Sequence, residues 1–149
     1  MRPLALISFM TAALASLSIA SAAAPNVGIA VPGDTIKLAA LPGAPPGVVS
    51  AVLVGEVTKP GIYVLRNKWP ANTTLRPHTH GDKWRIYTVL EGEIQVGFGS
   101  KIDLAATQRL GPGSVFTGPT DLPHYFITGA SGATLHVVAE GPFVTQYVE

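Results

Sequence analysis

The chain has 149 residues, 47% of them apolar and 13% charged, with 16 Gly, 13 Pro and no Cys. That length allows one domain, or one domain plus a processed leader. The Gly and Pro content argues against a helical bundle, and the absence of cysteine excludes disulfides, thiolate metal clusters and a cysteine nucleophile. Ten Lys and Arg against nine Asp and Glu leave no basic footprint for nucleic acid.

Taken in chain order, residues 1–24 differ from the rest. Arg2 is the one charge before Asp34, an apolar run extends from Leu4 to Ala15, and small residues follow from Ser16 to Ala24. A basic start, a short apolar core and an A-x-A-like site read as a secretory signal peptide. Cleavage is expected near Ala22, because a cut after Ala24 would meet Pro25. The competing reading is an uncleaved anchor, since the stretch is long enough to span a bilayer. A signal peptide over 1–22 implies a periplasmic or secreted protein with no stable membrane span once the leader is removed.

Residues 23–48 are rich in Pro, Gly and Ala and predict an extended arm with turns. From residue 49 onward, short runs rich in Val, Ile, Tyr and Thr alternate with Gly or Pro breaks. They cover Ala51–Val57, Ile62–Asn67, Trp84–Leu90, Ile94–Phe98, Ser114–Thr117, His124–Thr128, Ala133–Ala139 and Phe143–Val148. Their spacing marks an antiparallel sandwich or barrel, so residues 49–149 form one all-β domain. Glu91-Gly92-Glu93 reads as a tight turn between two of these runs.

Two of the four histidines form His78-Thr79-His80. On a strand, side chains two apart share a face, so both imidazoles can meet at one point. His124 opens another predicted strand. Three neutral imidazoles on rigid strands suit Fe(II), Zn(II), Mn(II), Ni(II) or Cu(II). His136 reads as a cavity-lining or surface histidine rather than a ligand, and Asp82 as a solvated turn residue. Tyr87, Tyr125 and Phe126 read as core or as the lining of a barrel mouth. Asn72-Thr-Thr74 fits the glycosylation pattern without showing modification. Gly97-Phe-Gly99 lacks the features of a phosphate loop, and Ser114 has no recognisable triad partners.

Two separated motifs in this stretch resemble those of the cupin superfamily. His78, His80 and Gly92 fit the first motif, with Arg85 at its glutamate position and Asn72 at its first glycine. Gly113, Pro119 and His124 fit the second, with Asp121 replacing a glycine and Thr128 an asparagine. Residues 46–149 are similar to small exported single-domain cupins. The resemblance implies a jelly-roll, or double-stranded β-helix, barrel behind an extended N-terminal arm, and a metal site at His78, His80 and His124. Arg85 cannot ligate, because a guanidinium has no lone pair to give. Pointing inward it would favour an anionic ligand; pointing outward it is a surface residue, and a longer loop would turn Trp84 inward instead.

Candidate cavity or ligand contacts are Arg85, Trp84, Tyr87, Thr128 and His136. The resemblance implies an exported metal-binding cupin, and the three histidines leave open an oxygenase- or isomerase-type enzyme on a small molecule. The alternative is a non-catalytic cell-envelope protein that binds a small, anionic ligand. A homodimer is implied by resemblance alone.

Overall fold

A computed structural model describes residues 28–81 and 83–149. The expected leader, the first residues of the arm and Asp82 lie outside the described residues. Eight strands follow one another: β1 (Val49–Val54), β2 (Gly61–Trp69), β3 (Thr74–Thr79), β4 (Arg85–Phe98), β5 (Gln108–Leu110), β6 (Val115–Gly118), β7 (His124–Gly141) and β8 (Gln146–Tyr147). All pairings are antiparallel. The all-β barrel read from the sequence is the architecture found.

Two long strands organise it. The first half of β4 pairs with the second half of β7, and their remaining halves pair with each other beyond a pair of bulges. One face of the barrel therefore runs β1, β2, late β7, early β4, β6; the other runs β8, β3, early β7, late β4, β5. Inward positions alternate with outward ones along each half. Tyr63, Leu65 and Trp69 of β2, Tyr87 and Val89 of β4, and Leu135, Val137 and Ala139 of β7 fill one interior with Phe116 and Phe126. A fully buried side chain of this size contributes about 1.5–3 kcal/mol relative to exposure. Edge-to-face contact between Trp69 and Phe126, and stacking of Tyr87 on Phe116, pack the middle of this core.

The strand boundaries depart from the sequence reading in an informative way. Trp84–Leu90 and Ile94–Phe98 are one strand, as are His124–Thr128 and Ala133–Ala139. Glu91-Gly92-Glu93 is thus a bulge within β4 and not a turn. A tight turn and a bulge both need a residue at positive φ, and Gly92 has φ 73°. Its position also admits no Cβ, which would run into the Gly132 carbonyl of β7. The last expected run shrinks to the two residues of β8, and β5 had no expected counterpart. Asn72, at the place of the motif's first glycine, adopts φ 51°, a left-handed conformation that asparagine tolerates better than most residues.

The arm is extended with turns, as its prolines dictate. A single 3-10 turn spans Gly33–Thr35, and Ala39 bridges to Ser50 at the start of β1. Turns closed by Ala44 N–H to Leu41 O and Val48 N–H to Pro45 O then fold residues 41–48 over the end of the barrel. No helix among the described residues is long and apolar enough to cross a membrane.

Candidate metal centre and adjoining cavity

His78 lies on β3, His80 just past its end, and His124 at the start of β7, where it pairs directly with His78. A regular strand would not aim His78 inward. Leu75 pairs with Phe126 and His78 with His124, so β3 spends three residues where β7 spends two. The extra residue falls at Arg76-Pro77, where proline has no N–H to lose from the ladder. This bulge lets Leu75 and His78 both face the interior, and the two-residue period then brings His80 to the same side.

All three imidazoles are buried, and one ligand nitrogen of each lies within 4.8 Å of the others. Backbone carbonyls set two of the tautomers. His78 Nδ1 donates to Arg76 O at 2.8 Å and His80 Nδ1 to Val144 O at 3.1 Å. A carbonyl only accepts, so each Nδ1 carries the hydrogen and each neutral Nε2 keeps its lone pair for the centre. His124 Nε2 stands 3.2 Å from His80 Nε2. Two lone pairs tolerate that approach only with a proton or a cation between them. The donor set therefore fits a divalent metal held by three nitrogens.

The electrostatics agree. Burial lowers the pKa of His78; burial, then the charge of Arg85, lowers His80 to about 2; burial, then His78, lowers His124 to about 4. All three rings are neutral at pH 7, the form that ligates. Tyr87 Oη lies 3.0 Å from His80 Nε2 and donates to it, and burial raises the pKa of that hydroxyl so that it stays protonated.

Arg85 opens β4 with its side chain inward and only 3% exposed. Its Nη2 donates to Val144 O at 2.7 Å, and its guanidinium carbon sits 4.2 Å from the centroid of the Phe143 ring. Its Nε is buried without a partner. Beside the histidines lies a cavity of about 450 Å³ whose walls include Leu41, Val48, Leu65, Trp69, Phe126 and Val137. Arg85, Tyr87, His78 and His80 form its polar end.

Of the five candidate contacts, Arg85 and Tyr87 line this cavity and the other three do not. Trp84 is 55% exposed, because Arg85 takes the inward position next to it. Thr128 is buried on β7 beside the β2–β3 connection, where its Oγ1 donates to Pro70 O and accepts from Thr73 N–H. His136 faces outward from β7 and accepts a hydrogen bond from Arg66 Nε at 2.9 Å. The sequence places the arm, Phe143 and Tyr63 in expected elements without indicating their part beside this cavity, and it does not point to the Val144 carbonyl. A period-two run of Tyr63, Leu65, Asn67 and Trp69 was the available signal for β2; a backbone carbonyl leaves none.

No protein-family model matches the chain. "Germin-like protein 4-1" of Oryza sativa subsp. japonica is 31% identical over 121 residues, 74% of this chain. The match spans 44% of that protein, so the chain corresponds to less than half of it. The polyketide cyclase RemF from Streptomyces resistomycificus superposes with a TM-score of 0.63 at 21% identity, over 83% of this chain and 87% of that one. An RmlC-like cupin from Shewanella frigidimarina superposes with a TM-score of 0.56 at 14% identity, over 74% of this chain and 87% of that one.

Proposed function

The chain has the cupin fold, and from that premise we propose that it is an exported metalloenzyme of oxygenase or isomerase type acting on a small organic molecule. His78, His80 and His124 hold the divalent ion, and the adjoining cavity takes the substrate. The observation that supports this reading best is the convergence of Nε2 lone pairs, freed by Nδ1–H bonds to backbone carbonyls on the far side of two rings. Imidazole ligation suits iron, zinc, nickel or copper, and manganese where it is available. Three ligands leave positions open for a substrate, and the bound ion would supply Lewis-acid activation of a substrate oxygen.

The chain's own groups supply the rest. Arg85 and the Tyr87 hydroxyl present donors beside the histidines, and the other walls of the cavity are mostly apolar. With the His80 lone pair engaged by an ion, the Tyr87 O–H would be free to donate to a substrate oxygen. The polyketide cyclase of similar fold supports an enzyme acting on an organic substrate. The leader-like start supports export. Ile62, Val115 and Val138, exposed on one outer face, fit pairing of two copies, which sedimentation tests directly.

A second reading is a non-catalytic binding protein. No Asp or Glu lines the cavity among the described residues, so no carboxylate stands ready to move a proton. Cobalt(II) titration of chelator-treated protein tests the metal site: saturation near one equivalent in wild type, absent in His78→Ala, is expected. Equal uptake by both would contradict it. A ligand recovered unchanged after prolonged incubation with metal-loaded protein would favour the binding reading.

A further inference from the structure

We propose that the ligand of this cavity is a carboxylic acid with an apolar body, bound as its carboxylate against Arg85. The inference rests on the cavity being a small-molecule site and does not require the metal to be bound. Among the described residues Arg85 is the one permanently charged side chain lining it, and no acidic side chain of theirs lies within ion-pair distance of the guanidinium.

A buried cation without a counter-ion is costly, and the groups around Arg85 meet that cost only in part. The Val144 carbonyl satisfies one N–H and the Phe143 ring covers one face, but buried Nε–H has no acceptor. The Tyr63 hydroxyl, buried in the same region of the barrel, also lacks a partner. A carboxylate supplies the missing charge and offers two oxygens to a planar donor.

The remaining walls define the rest of the ligand. Leu41, Val48, Leu65, Trp69, Phe126 and Val137 offer apolar surface and no second cation. This favours a single anionic group over a dicarboxylate, and a carboxylate over a phosphate dianion, which ordinarily draws several cationic or backbone donors. A cavity of about 450 Å³ with these walls suits an aryl- or alkyl-carboxylic acid, whereas acetate would leave the apolar surface unfilled.

The test is calorimetric titration of the full chain, metal-loaded and chelator-treated, with 3-phenylpropionate, its neutral amide, octanoate, acetate and inorganic phosphate. In both forms the two long carboxylates should bind at least about 10-fold more tightly than the amide, acetate or phosphate, the scale of one charge-assisted interaction. Arg85→Gln should lose that preference and bind acid and amide alike, while Arg85→Lys retains part of it. Because the acid–amide comparison is made in the wild-type chain, a variant that fails to fold leaves the result intact. Equal binding of acid and amide, preference for phosphate, preference surviving in Arg85→Gln, or no binding of either long carboxylate would each overturn the proposal. Absence of metal uptake with carboxylate preference intact would instead count against the metal reading alone.

Discussion

His78 and His80 owe their common aim to a two-residue period that the sequence displays, and His124 to direct pairing with His78 across β3 and β7. Replacing His78 by alanine removes one of the three proposed ligands and opens a void. Metal affinity should fall by about 100-fold or more, measured by competition with a chromophoric chelator. Burial also ties the same rings to acid stability. Their folded pKa values lie below the ordinary 6.5, at about 4 for His124 and about 2 for His80. The unfolded chain therefore binds more protons below pH 6.5, and stability of metal-free protein should decline as pH falls from 6.5 toward 4. The slope is at most about 1.4 kcal/mol per pH unit for each ring. Urea midpoints at pH 7, 5.5 and 4.5 read it, and a midpoint independent of pH would contradict burial of neutral imidazoles. Arg85 was less legible. Its direction depends on the loop between His80 and β4, whose geometry no local pattern encodes, and its main partner is the Val144 backbone carbonyl.

At the scale of elements, glycine carried a signal whose meaning the chain alone left open. Gly92 marks positive φ correctly, yet pairing with β7 on both sides makes it a bulge instead of a turn. Gly97 serves differently, since a Cβ there would enter the Tyr125 ring. That ring is buried on the barrel's outer side, where its hydroxyl donates to Asp103 O at 3.0 Å and accepts from Asp103 N–H at 2.8 Å. The contact clamps the connection that follows β4. Gly97→Ala should displace Tyr125 and cost about 1–3 kcal/mol of stability, read by urea denaturation, with metal affinity unchanged. Thr128→Val should cost a similar amount by leaving Pro70 O and Thr73 N–H without their partner. A larger loss of metal binding than of stability in either variant would contradict the separation of these contacts from the metal centre. Thr128 was legible as a motif position, but its structural role depends on a strand connection distant in sequence.

In the whole molecule, a barrel closed by two bent strands brings β3, early β7 and the segment around Phe143 and Val144 to one end, while the proline-rich arm folds over the same cavity. The all-β class and the three histidines could be read from alternation, turn residues and motif spacing. The lid-like position of Leu41 to Pro45 could not, because a proline-rich segment advertises extension without saying what it covers. Metal bound to the folded state alone should raise the melting temperature of chelator-treated protein when zinc is restored, and His78→Ala should abolish that rise. The central claim is a three-histidine metal centre, and elemental analysis of protein purified without added metal, beside the His78→Ala/His124→Ala double variant, tests it most directly. About one transition-metal ion per wild-type chain is expected, with loss of that metal in the double variant. A double variant that retains the same metal content as wild type would contradict it.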